Sequence, residues 1–557
     1  MSAAVLHEPK VLRTLGRGEY HREGCAALAA GQARRTVRLL ELVRRRYEGA
    51  EAPQGDIAAA IGRWIELMRS GHPAAVELPI DPFVGIWAAG VLRGERTVDD
   101  DGAIDRLLAP QLGLCGPWTA TFTRAGRSLN LNRCGGSLVL PDLGRPQLVE
   151  VHYTEEAMVV AAAGGSASFR AGETPVLDGD LHWEPTFFVR AESDERTLNV
   201  AVAESDPAAM SVGPSRTPLM DARSRSQWKA ALEAAWRIVV ARHEAYAQGV
   251  QDYCRFLVPQ ESPEPTRHVS STSADGFGAI GLSLTQDIPT LAVALIHETQ
   301  HLKLSALLDA VTLHDADDTA RYYAGWRDEP RPFQALLHGV YAFSAVTEFW
   351  RAEYLSQKDF RLRGRYGLEY ALWAAQTTAA LRDLIDADAA TPEGREFLAG
   401  IEEVADRWND PVDALIATAV SDVRAEHRLN WELRRAGAGT AITTGIRRAW
   451  QSRLTGADMA VAGEPTHIRP VDSALASDDT TAAVEQAEAA VRDNIDDMSN
   501  WFRLSRAYAH AAMNHDSNRV TAALVESATR SSGPSPAPGE VWLADRVSRR
   551  APASAAP

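Results

Sequence analysis

The segment His297-Glu298-Thr299-Gln300-His301 has the residue types and spacing that most directly imply chemistry. An α-helix turns once in about 3.6 residues, so side chains at i and i+4 share a face, and two imidazoles so placed can hold one cation. With 15 histidines in 557 residues, a chance HExxH has a probability of about 0.03 by multiplying residue frequencies, so the motif is read as a metal site.

Glu298 leaves the helix about 100° round from His297, poorly placed as a ligand but near enough to reach a metal-bound water. With zinc it would be the general base of a peptidase; with iron it would orient a ligand or a water, or serve the structure. Catalytic zinc and non-haem iron sites normally take three protein ligands and keep positions open, so a third donor is required. The extended HExxHxxGxxH form is excluded, because Leu304 and Leu307 stand where its glycine and third histidine belong. A carboxylate about twenty residues downstream would fall near Asp315, Asp317 and Asp318, a turn-like acidic cluster that reads as solvated. His338 is the preferred third ligand, since Leu336, Leu337, Val340 and Tyr341 around it predict an inward-facing position. The competing reading is a core histidine bonded to a carbonyl, with Glu348 and His314 as fallback ligands.

The elements that must carry these residues follow from periodicity. Helical spacing over 25–47 and 57–68 predicts a helical N-terminal unit, 1–115. Short runs rich in β-branched and aromatic residues, at 118–123, 137–140, 148–153, 187–191 and 198–202, predict a β-rich subdomain over 116–210. Helical periodicity returns from 225 and continues to 435, giving a helical HExxH catalytic domain over 211–435. Within it, 280–284 reads as a strand, and 289–313 reads as the motif helix, with Asp287 and Pro289 as start signals. Residues 436–480 read as a linker and 481–548 as a helical hairpin; Trp501, Leu504, Ser505 and Tyr508 stand at tetratricopeptide-like positions in it. Residues 549–557 read as a disordered tail. The fold class is mainly α with a β-rich insert, that is α+β.

Composition narrows the partners. A net charge of −16 repels nucleic acid phosphates and anionic membrane surfaces, so neither is expected. No apolar stretch reaches spanning length and the N-terminus lacks a signal-peptide pattern, which predicts a cytoplasmic protein. The four cysteines lack CxxC spacing and read as small buried hydrophobes rather than a disulfide framework. The arginines at 44–46 read as a solvated helix face. The oligomeric state is left open.

The segments His268-Val-Ser-Ser-Thr-Ser273 and 291–309, continued by Tyr322-Tyr-Ala-Gly-Trp326-Arg327-Asp328-Glu329-Pro-Arg331-Pro332 and Leu337-His338-Gly-Val-Tyr341-Ala-Phe343, resemble the HExxH-motif peptide-modification proteins. The likeness is specific over 268–354, faint over the β-rich insert and absent from the C-terminal hairpin. It implies an Fe(II)- and 2-oxoglutarate-dependent oxygenase that uses dioxygen to hydroxylate side-chain β-carbons of a ribosomally synthesised precursor peptide. Phe343 departs from the family pattern, in which histidine can occupy that position.

Under that resemblance the distal carboxylate of 2-oxoglutarate needs a cationic fork, which Arg327 and Arg331 would supply, with Trp326 walling the pocket. The alternative is that both arginines pair with Asp328 or Glu329, or cap a helix; Lys303 is a weaker option. Ser271 and Ser273, with Ser270 and Thr272, would line the substrate groove or form an ordinary polar loop. A zinc-dependent HExxH peptidase is the competing enzyme, and a helical module that recognises leader peptides is the non-enzymatic reading.

Overall fold

The helical and strand patterns are realised as eleven α-helices and three β-sheets among the described residues of a computed structural model, an α+β chain dominated by helix. The structure describes residues 3–435, except 52–53, 72–80, 97–117, 125–127, 132–135, 155–156, 171–172, 205–211, 213–219, 263–267, 316–318 and 320, together with 485–486 and 489. The expected linker at 436–480, the hairpin positions Trp501, Leu504, Ser505 and Tyr508, the tail at 549–557, Asp317, Asp318, Cys115 and Cys134 lie outside them.

Helices α1 (Pro9–Gly16), α2 (Arg22–Tyr47), α3 (Gln54–Arg69) and α4 (Pro82–Arg93) open the chain. One stripe of α2 is buried, through Cys25, Leu28, Gln32, Thr36, Leu40 and Val43, each three or four residues from the last. Off that stripe Arg44 and Arg45 pair with Glu41 one turn earlier, the solvated face expected there. Helix α4 starts where the Asp81 carboxylate accepts the Phe83 N–H and ends at Gly94, whose φ of 78° needs glycine.

Eight strands follow: β1 (Trp118–Arg124), β2 (Ser128–Leu131), β3 (Gly136–Val139), β4 (Gln147–Tyr153), β5 (Met158–Ala162), β6 (Gly165–Phe169), β7 (Val176–Gly179) and β8 (His182–Pro185). They form two antiparallel sheets, β1-β4-β5-β6-β7 and β2-β3-β8. Strand β4 alternates, with Val149 and Val151 in and Leu148 and Glu150 out. Its inner residues share one core with Leu40, Trp64, Val84 and Trp87 of α2, α3 and α4, so the N-terminal helices bury their apolar faces on the β-rich segment.

The next hairpin, β9 (Phe187–Ser193) and β10 (Arg196–Val202), pairs elsewhere. It joins β11 (Phe256–Gln260), β12 (Ser270–Thr272) and β13 (Ala279–Ser283) in the order β12-β13-β11-β10-β9, parallel at β10–β11 and β11–β13. Inner strand β13, parallel to β11 and antiparallel to β12, is buried at every residue, as a strand covered on both faces should be. The periodic run from 225 divides into α5 (Ala222–Arg242) and α6 (Glu244–Tyr253) at His243, whose buried ring bonds Glu353 and stacks on Phe349.

Helices α7 (Ile288–Leu308), α8 (Phe333–Ser356), α9 (Phe360–Asp386) and α10 (Pro392–Ala405) complete the first of two units, Met1–Ala320 with Pro332–Pro411. The second unit comprises Arg321–Arg331 and the chain from Val412, including α11 (Ala414–Arg435). Among the described residues no helix is long and apolar enough to cross a membrane. Cys25 and Cys254 are buried free thiols.

Candidate metal centre

The HExxH helix is a core helix. Leu291, Leu295, Ile296, Leu302 and Leu304 of α7 are all at most 1% exposed, so packing fixes the direction in which its histidines leave the backbone. The helix begins at Ile288, just after Asp287, with Pro289 in its first turn. Asp287 does not cap the backbone; its carboxylate takes the Thr290 hydroxyl and the Arg365 guanidinium of α9.

The flank of α7 that carries Gln300 and Lys303 is clamped to the α1–α2 turn. Gln300 Nε2 donates to Gly18 O at 3.0 Å, and Lys303 Nζ donates to Gly18 O at 2.8 Å and Glu19 O at 3.0 Å. Burial pushes the Lys303 ammonium down to about 8. With its donors committed to two carbonyls and its charge over the Tyr341 ring, Lys303 is a structural clamp, not a carboxylate-binding cation.

His297 and His301 meet on the remaining face with Nε2 to Nε2 at 3.1 Å and rings at 86°. Two nitrogens each about 2.1 Å from one ion stand about 3.0 Å apart at a right angle and about 3.4 Å apart at the tetrahedral angle. In this structure the two rings hydrogen-bond one another at 3.1 Å, a separation that two ligands of one ion could also take. His338, on α8, lies with its ring 5.8 Å from that of His301. Burial, and then the neighbouring His314, hold its pKa down to about 4, so its ring stays neutral with a lone pair available at neutral pH.

Among the described residues no three His, Cys, Asp or Glu side chains are gathered as a finished ligand set. His338 is the histidine that the neighbouring helix α8 brings beside the pair, and its ring is not gathered with them into a triad. Of the fallback donors, Glu348 is engaged by polar partners and His314 lies against a ring. Glu348 accepts Trp408 Nε1 at 2.7 Å and faces Arg407 at 3.3 Å, while His314 packs on Phe333 at 4.9 Å.

Glu298 is 2% exposed, with Oε1 4.0 Å from His297 Nε2 and 2.7 Å from the Ser270 hydroxyl that donates to it. Burial pushes its carboxyl up to about 7, against the lowering effect of the Ser270 and Thr272 hydroxyls. Its other oxygen, Oε2, is buried and has no hydrogen-bond partner among the described residues. A buried acceptor left open beside two facing imidazoles suits a proton-bearing ligand at the metal position.

Aromatic rings wall the other side. Phe343 packs 5.0 Å from His297 and stacks at 4.3 Å on Trp373 of α9, whose Nε1 donates to Glu369 at 2.9 Å. The sequence reading did not single out Trp373, which carries no signal beyond helical periodicity. Among the serines, Ser270 reaches Glu298, whereas Ser271 accepts the Gln260 amide on the opposite face of β12; Ser273 sits in the following turn, where its carbonyl accepts Gly276 N–H at 3.0 Å.

Trp326, Arg327 and Arg331 belong to the second unit. There the Tyr322 and Arg331 backbones exchange hydrogen bonds of 2.8 and 3.0 Å, closing a loop that carries all three side chains. Among the described residues neither arginine is within ion-pair distance of Asp328 or Glu329, although the Glu329 charge acts on Arg331. Burial, followed by the charge of Arg327, lowers the Arg331 pKa from its usual value against the opposing charge of Glu329.

No protein-family model and no curated protein matches the chain.

Proposed function

We propose that the protein is an Fe(II)- and 2-oxoglutarate-dependent oxygenase that hydroxylates a side-chain β-carbon of a ribosomally synthesised precursor peptide. The observation that carries this reading is the convergence of His297 Nε2 and His301 Nε2 at 3.1 Å on one face of α7, with His338 on the next helix. His297, His301 and His338 would hold the iron, which when bound supplies the oxidising chemistry together with 2-oxoglutarate and dioxygen. Glu298 would accept a hydrogen bond from a ligand on the metal, and Phe343 and Trp373 would keep water from that side. Arg327 and Arg331 are proposed for the distal 2-oxoglutarate carboxylate on their chemistry alone.

A zinc peptidase is the second reading, favoured by one feature: a carboxyl near pH 7 beside the first histidine is what a general base requires. One experiment separates them. Metal-free protein is reconstituted anaerobically with Fe(II), or separately with Zn(II), then given 2-oxoglutarate, air and candidate precursor peptides. The oxygenase forms succinate and adds about 16 mass units to a peptide, one oxygen atom, with iron only. Cleavage with zinc and no dependence on 2-oxoglutarate would replace it with the peptidase.

A further inference from the structure

Strand β12 is one edge of the five-stranded sheet, and among the described residues nothing pairs with its outer side. Its backbone phase is fixed by the Ser283 N–H, which donates to Val269 O at 2.8 Å. Antiparallel partners alternate between bonded and non-bonded pairs, so Ser271 faces β13 while the N–H and C=O of both Ser270 and Thr272 turn to the open edge. The side chains of those same two residues lie on the α7 side, where Ser270 holds Glu298, itself 4.0 Å from His297.

The two edges of this sheet differ in kind. Strand β9, at the far edge, carries exposed Arg190 and Glu192, paired at 2.7 Å, charges that discourage another strand from adding. Strand β12 is Ser-Ser-Thr, uncharged and half-buried, and it offers two outward donors and two outward acceptors in extended register. That array is complementary to an extended peptide backbone.

We propose that the open edge of β12 takes the substrate peptide as an added strand, and that register selects the residue to be modified. Residues directly opposite one another on neighbouring strands point to the same face. A peptide residue opposite Ser270 or Thr272 therefore presents its Cβ to the α7 face, toward His297 and His301, while its neighbours in sequence point away. The inference rests on the peptide-modifying reading of the metal centre and adds how the peptide is held.

The test measures binding, not turnover. Decapeptides are selected from a randomised phage-displayed library on metal-free full-length protein, and the tightest is synthesised with a fluorescein label and with an N-methyl group at each backbone position in turn. Alternate positions in one stretch are expected to lose about tenfold in affinity each, with the intervening positions unaffected, because only every second N–H reaches the edge. Thr272→Pro, which removes an outward N–H at a position where an edge strand tolerates proline, is expected to weaken the decapeptide by about tenfold or more. Thr272→Val keeps that N–H and is expected to retain binding.

Failure to recover any binder, uniform sensitivity to N-methylation, or undiminished binding to a folded Thr272→Pro protein would each overturn the proposal. The N-methyl series uses the unaltered protein and so decides the matter even if the proline variant fails to fold. Alternating sensitivity without succinate formation would retain the docking edge and reject the oxygenase; succinate formation without alternation would do the reverse.

Discussion

Replacing Ser270 by alanine removes a single hydroxyl, and its effect on Glu298 can be worked from the structure. The hydroxyl donates at 2.7 Å to a carboxyl that burial has already raised to about 7. A hydrogen bond to a charged group contributes about 1.5–3 kcal/mol, and one pH unit corresponds to about 1.4 kcal/mol, so the midpoint should climb by about one to two pH units. At pH 7 the ionised fraction then falls from about one half to between about one tenth and one hundredth. A step that needs the carboxylate slows by about 5- to 50-fold at pH 7 and recovers as pH approaches 9–10.

The sign is the reverse of the usual paired carboxylate. This group's folded value lies above its unfolded value near 4.3, so the stability linked to its proton is fully present below that value and is lost as pH rises through about 7. The assay is infrared titration of metal-free protein. The protonated carboxyl band, assigned by its disappearance in Glu298→Gln, is followed from pH 5 to 10 in both the parent and Ser270→Ala. A midpoint that moves by less than half a pH unit would refute the idea that the β12 hydroxyl tunes Glu298.

Three further outcomes are expected. His338→Ala should weaken anaerobic Fe(II) binding by about 100-fold or more in a chelator competition, beyond the range for residues that only orient ligands, while Glu348→Ala should leave it unchanged; the opposite pair of results would move the third ligand to Glu348. Lys303→Met should cost about 1–3 kcal/mol in urea unfolding, because Gly18 O and Glu19 O lose their donor, with Fe(II) affinity unaltered. Glu353→Gln should cost about 3 kcal/mol at pH 7, the low end for a buried pair because Arg242 is 40% exposed. Burial raises the Glu353 pKa but the bonds from His243 and Arg242 outweigh it, and burial lowers His243; both folded values are depressed, so both contributions are complete above the His range and fade as pH falls through it and then the carboxylate range. The Glu353→Gln penalty measured at pH 4 should therefore be smaller than at pH 7.

Much of the fold was legible because periodicity is a local signal. The runs at 25–47, 57–68 and 148–153 appear as α2, α3 and β4, and the helix starting after Asp287 begins at Ile288. Tertiary pairing was not legible. The hairpin β9–β10 has the same texture as the strands before it, yet it pairs with β11 across some fifty residues, a choice made by parallel partners that only the assembled sheet supplies. Likewise Ser270-Ser-Thr272 lacks the large β-branched pattern of a strand and reads as a polar loop; β13 gives it its extended form. The histidine pair was readable because i and i+4 on a helix fix geometry without help, whereas the contributions of His338 and Trp373 depend on how α8 and α9 pack beside α7.

The parity of β12 carries the last step of the argument. Within a three-residue strand only two residues can share a face, and here they are Ser270 and Thr272, whose side chains steady Glu298 while their backbone groups face the open edge. A ligand on that edge would bond to the strand whose Ser270 hydroxyl opposes the effect of burial on Glu298. Gly281 on β13 keeps this alignment possible, because a Cβ there would collide with the Gln260 amide and the Ser271 hydroxyl that pin the opposite face of β12. Gln260 therefore holds the strand from one face and Glu298 meets it from the other.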